Sequence, residues 1–119
     1  MSIDIAAATQ TVIDRLTAGG VRAVLDERDI NPPCVFVGPP TIKWRFHRGD
    51  YDAEWRAWVL APNSGRNVAL KNLGPLLEAT AAALDMVTVT AEPADFSVAD
   101  QAGPLPGYRI VWNERVHQP

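Results

Sequence analysis

Residues 32–61, PPCVFVGPPTIKWRFHRGDYDAEWRAWVLA, decide the fold. They read as one buried strand, Cys34 to Val37, followed by a long aromatic β-hairpin. In Ile42, Trp44 and Phe46 the apolar residues alternate with Lys43, Arg45 and His47, the period of two that marks a strand with one dry and one wet face. The return limb alternates in the same way. A two-residue turn centred on Gly49 and Asp50, a glycine-first pair suited to a type II′ turn, predicts a register with Trp44 opposite Trp55, Arg45 opposite Glu54 and His47 opposite Asp52. The same register sets Lys43 opposite Arg56, a like-charged pair, which leaves open a wider turn or one bulged by a residue. No catalytic group sits at the centre of this stretch, which points to a surface-building protein rather than an enzyme.

Outward from the hairpin, Ser2 is expected to cap a first helix with Ile5, Ala8, Val12 and Leu16 on one stripe and Asp4 near the positive end of its dipole. Gly19 and Gly20 stop that helix, and Val21 to Val24 suit a short strand. Asp26 to Pro33 reads as a polar crossing loop. It delivers the chain into Cys34–Val37, four apolar residues in a row, as for a central strand covered on both faces. Gly38, Pro39 and Pro40 break the strand before the hairpin.

After the loop Pro62 to Arg66, Leu73, Leu76, Leu77, Ala81 and Leu84 form a second helical stripe. Pro75 favours a helix starting near Gly74; a short helical turn over 67–73 ahead of it is the alternative. Val87, Val89 and Ala91 predict a further strand, and Tyr108, Ile110 and Trp112 the last one. Between them Glu92 to Gly107 reads as the longest irregular segment, and the tail from Val116 is expected to fray. The order predicts a single α+β domain over 1–119, a mostly antiparallel β-sheet with a long β-hairpin and two α-helices packed on one face. Of the four tryptophans, Trp44 and Trp55 should point inward. Trp58 falls on the opposite face, either under a loop or in a subunit contact.

With 119 residues the chain can bury a core without staples, and its single cysteine excludes an internal disulfide. No signal peptide and no apolar run long enough for a membrane span are visible, so no membrane partner and synthesis in the cytoplasm are expected. A net charge of -3 argues against general affinity for nucleic-acid backbone. Cys34 reads as a small buried hydrophobe rather than a nucleophile. His47 and His117 lack ligand-spaced companions, so neither a metal nor a cofactor is expected. Arg48-Gly49-Asp50 reads as a hairpin turn, and the proline-rich segments lack the amide donors of a phosphate nest. Lys43 to Arg48 interleaves cations with rings, as a single-stranded nucleic-acid-binding module does, but alternation sends rings and charges to opposite faces.

Several segments together resemble the small tail-terminator (tail-completion) proteins of long-tailed, siphovirus-type bacteriophages, especially those infecting actinobacteria. They are an N-terminal helix leading to Gly19-Gly20-Val21, the run Leu25-Asp26-Glu27-Arg28-Asp29-Ile30-Asn31-Pro32-Pro33-Cys34-Val35, and Gly38-Pro39-Pro40 before the Trp44 hairpin. Pro62-Asn63 before an alanine- and leucine-rich helix, Pro93-Ala94-Asp95-Phe96 and Leu105-Pro106-Gly107-Tyr108 complete the pattern. The resemblance implies a non-enzymatic virion protein at the tail–neck junction, assembled in the host cytoplasm. It implies a homohexameric ring that caps the tail tube, ends polymerisation of the major tail tube protein and meets the head-completion or stopper protein, with DNA passing through the lumen unbound. Head-to-tail connector or stopper proteins, of similar length, are the neighbouring reading. Exposure reasoning nominates Arg45, Arg48, Asp50, Tyr51 and Trp58 for subunit or tube contacts, and Pro93 to Pro106, with Asp95 and Phe96, as a second surface.

Overall fold

The computed structural model describes residues 4–44, 51–63, 65–85, 90–98 and 103–116. Two helices, α1 (Ile5–Ala18) and α2 (Arg66–Ala83), accompany six strands: β1 (Ala23–Val24), β2 (Cys34–Val37), β3 (Thr41–Trp44), β4 (Tyr51–Leu60), β5 (Ala91–Pro93) and β6 (Gly107–Val116). The sheet runs β1-β2-β4-β6-β5, with β3 also on β4. Every pairing is antiparallel except β1 with β2. Both helices cover the same face, so the α+β expectation holds.

The cap of α1 is Asp4, whose carboxylate accepts from the Ala7 amide at 2.9 Å; Ser2, the expected cap, lies outside the described residues. The buried stripe is Thr9, Val12, Ile13 and Leu16, whereas Ile5, expected on that stripe, is 43% exposed. Gly20, with φ of +81°, ends the helix. Its amide donates to Thr17 O and the Val21 amide to Leu16 O, closing two carbonyls that the helix leaves open. Val21 and Leu16 are both buried beside this stop. Val21 therefore belongs to the helix stop, and strand pairing begins only at Ala23.

β4 is the spine. Its ten residues alternate between the two faces: Tyr51, Ala53, Trp55, Ala57 and Val59 pack under the helices, and their neighbours point to the other side. β6 lines one edge of it along its full length, from Tyr51↔Val116 to Leu60↔Gly107. Along the other edge β2 pairs with the second half and β3 with the first. Val37 opposes Ala57 and Thr41 opposes Glu54, so three residues, Gly38 to Pro40, stand against two, Trp55 and Arg56. The strand is bulged rather than ended there. One extra residue inverts the alternation, which is why odd residues of β2 (Val35, Val37) and the even residue Ile42 of β3 share the helix-covered side. β2 itself is buried throughout, as expected of a central strand.

The hairpin register departs from expectation. Trp44 opposes Tyr51 rather than Trp55, Lys43 opposes Asp52 rather than Arg56, and Thr41 opposes Glu54. The slide is four residues along β4, an even number, so each residue keeps its face. It also replaces the like-charged Lys43–Arg56 pair with an attractive one, and Asp52, expected opposite His47, has Lys43 there instead. His47 and the turn at Gly49-Asp50 lie outside the described residues.

Helix α2 begins at Arg66, eight residues before the expected start near Gly74, and runs through Pro75. A proline inside a helix removes one amide donor, here the one that would reach Lys71 O. Both residues lie on the wet side of α2, where solvent replaces the missing donor, while Ala69, Leu73 and Thr80 hold the buried side. Thr80 satisfies its own hydroxyl by donating to Leu76 O at 2.7 Å. The two helices touch at Gly19 and Ala83, and Arg15 ties them to the sheet by pairing with Glu114 at 2.6 Å and donating to Leu84 O at 2.8 Å.

The segment Glu92 to Gly107 is less irregular than its prolines suggest. β5 spans Ala91–Pro93 on β6, and the same register continues through Ala94 N→Gly107 O to the Phe96↔Leu105 bridge. The result is a two-stranded arm. Val87 and Val89 of the expected strand lie outside the described residues.

Candidate interaction surface

Trp58 is the residue around which the second sheet face is organised. It faces Phe36 across one strand pair and Arg109 across the other. Its ring lies 5.7 Å from that of Phe36 and 5.4 Å from that of Phe96, and Phe36 and Phe96 are 5.2 Å apart. The three rings are mutually tilted, the arrangement the aromatic quadrupole favours. Ile30, Cys34, Phe36, Leu60 and Leu105 are buried in this second cluster, with Val24, Trp58, Phe96 and Val98 half-buried at its rim. Of the two readings of Trp58, the structure places it against the arm that carries Phe96.

The remainder of this face is charged and internally paired. Arg56 bonds Glu54 at 2.9 Å and the Thr41 hydroxyl at 3.2 Å, Arg115 meets Asp52 at 3.2 Å, and Arg109 meets Glu92 at 3.3 Å. Such half-exposed pairs contribute at most about 1 kcal/mol each. Their effect is to keep this part of the sheet wet, although Val111, opposite Arg56, is 37% exposed among them.

A cleft of about 430 Å³ opens elsewhere, between the first turns of α2 and the proline-braced arm. Ala69, Leu70 and Leu73 form one wall, and Pro93, Pro106 and Tyr108 the other. Arg66 and Asp95 place one charge of each sign at the cleft. Gly65 precedes α2 with φ of +100° and supplies no side-chain cap, so among the described residues no side chain caps the first amides of the helix.

The residues nominated from sequence separate. Trp58 and Phe96 come together on the second face, whereas Asp95, next to Phe96 in the chain, turns to the cleft. Tyr51 is not exposed as expected: at 2% accessibility it lies under the helices, because alternation along β4 puts it on the same side as Trp55. Burial, and then the nearby Asp4 carboxylate, push its phenol above the usual value. Arg45, Arg48 and Asp50 lie outside the described residues. Cys34 is fully buried, and burial raises its thiol, the opposite of what a nucleophile needs.

Arg66 and Leu70 were not singled out from sequence, because the pattern placed the helix start beyond both. Leu25, 50% exposed at the end of edge strand β1, belongs to a run that carries the resemblance but was not nominated as a contact residue. Its signal is an isolated leucine entering a polar turn.

No family model matches the sequence, and no curated protein sequence matches it.

Proposed function

We propose that this chain is a structural subunit of a phage virion, a tail terminator that closes into a homohexameric ring on the end of the tail tube and joins it to the head-completion complex. The resemblance of its segments to that family supplies the identity of the assembly. One geometric observation supports the assembly itself: the subunit presents two unlike apolar surfaces at opposite ends of its sheet. Leu25 follows β1, the first strand in the sheet order, and the cleft with Leu70 lies beside β5, the last. A closed ring of identical subunits in head-to-tail contact needs two different patches on each copy.

The edges favour side-chain contact over strand addition. Ala94 and Phe96 donate their amides inward, to Gly107 O and Leu105 O, so the alternate positions, Pro93 and Asp95, face outward. Proline at an outward slot has no amide to offer a neighbouring strand.

A polymerisation assay tests the proposal. Tail tube protein is allowed to elongate in the presence and absence of this chain, and tube lengths are measured by electron microscopy. Arrested tubes with an added cap support a terminator. Unchanged elongation together with binding to portal–connector complexes would assign the chain to the stopper class instead.

A further inference from the structure

The two unlike surfaces complement each other in detail. The cleft offers an apolar floor of Ala69, Leu73 and Tyr108, a cation in Arg66 and an anion in Asp95. Among the described residues Arg66 makes no ion pair, and its position at the first residue of α2 adds the positive end of the helix dipole to its charge. Leu25 offers a half-exposed apolar side chain followed at once by Glu27 and Asp29, neither of which makes a side-chain ion pair among the described residues. The turn holding them is fixed in shape. Asp26 accepts from the Arg28 amide at 3.0 Å and pairs with its guanidinium at 2.9 Å, which holds the Asp26 carboxyl below its usual range. The Arg28 side chain nevertheless remains 88% exposed and accessible to an anion such as Asp95.

Leu25 follows the first strand of the order and the cleft lies beside the last, and none of residues 25–29 lines the cleft of its own subunit. We infer that Leu25 and the turn Asp26–Asp29 of one copy seat in the α2–β5 cleft of a second copy, with Leu25 between Leu70 and the arm prolines, and Glu27 and Asp29 facing Arg66. This rests on the ring reading above and names the contact that would close it. The cleft is large enough for a leucine with its neighbouring backbone, and both chemical signs are matched.

The test uses the full chain with Leu70 replaced by photoreactive benzoylphenylalanine, irradiated alone and on tail tubes, with cross-linked peptides identified by mass spectrometry. The expected result is intermolecular cross-linking into residues 25–29. Arg66→Glu should lower its yield about tenfold, and Glu27→Arg with Asp29→Arg in the same chain should recover it. All three positions are exposed, so an unchanged melting temperature verifies the fold. Cross-links between copies that fall elsewhere, or into the tube protein from Leu70, overturn this contact while leaving the ring intact. A complete lack of contact between copies, even on tubes, removes both the contact and the ring reading.

Discussion

Gly38 lies so close beneath the indole of Trp58 that a Cβ built on it would stand 2.9 Å from Cζ3 of the ring. The bulge and the aromatic face are therefore one feature: the residue that opens the bulge is small because the ring on the facing strand occupies its side-chain space. Gly38→Ala should destabilise the domain by about 1–3 kcal/mol through this overlap. Chemical denaturation of Gly38→Ala, Trp58→Phe and the double variant gives the check. A double-variant cost below the sum of the singles is expected, since the smaller ring vacates the space.

Trp58→Ala should cost about 2–4 kcal/mol, because it strips the rim from the Phe36–Phe96 cluster and leaves a void the arm cannot fully close. Trp58→Glu should lose at least as much, with a carboxylate set against Phe36. Tryptophan emission should report loosening of the second face before global unfolding in both variants.

How much of this was legible in the sequence depended on whether a residue's surroundings are local. Alternation along β4 placed Trp55 and Trp58 on opposite faces, and four apolar residues in a row marked β2 as central. The register of the hairpin was not legible, since a slide of four residues preserves every face and leaves the apolar pattern equally satisfied. The start of α2 was misplaced because Pro75 is a strong local signal, yet its cost falls on the exposed side of a helix whose packing is decided by Ala69, Leu73 and Thr80. The cleft was invisible for the same reason: Arg66 and Asp95 line one cleft only because α2 extends further back than its proline suggests.

The α1–α2 contact offers a separate test. A Cβ on Gly19 would lie 2.5 Å from that of Ala83, although the φ of −83° at Gly19 suits any residue. The expected cost of Gly19→Ala, about 1–3 kcal/mol, is thus purely steric. Adding Ala83→Gly should return most of it apart from the helix-propensity penalty of the new glycine, as thermal melts of the cycle would show.

Stability should fall at alkaline pH. Burial raises the Cys34 thiol above its ordinary 9.0 and the Tyr51 phenol above its ordinary 10.0, so above these values the unfolded chain loses protons that the folded one retains. Stability from both groups is complete below pH 9 and declines as pH climbs through that value toward the folded values. Cys34→Ala should delay the onset to the range of Tyr51 titration, measured by urea midpoints across pH.

Arg15 closes the C-terminal end of α2 while pairing with Glu114, so it serves two elements at once. Arg15→Ala should cost about 1–3 kcal/mol, and Glu114→Gln less, because the bond to Leu84 O survives the second change. Hydrogen exchange over residues 80–85 should quicken in Arg15→Ala alone.

The central claim, that these subunits act by closing a ring on a tube, is tested most directly by electron cryomicroscopy of tail tubes mixed with the purified protein. The account predicts a single layer of six-fold density at one tube end, with residues 25–29 of each subunit against the α2–β5 cleft of the next. Bare tube ends with the protein remaining as single chains in the background would contradict it.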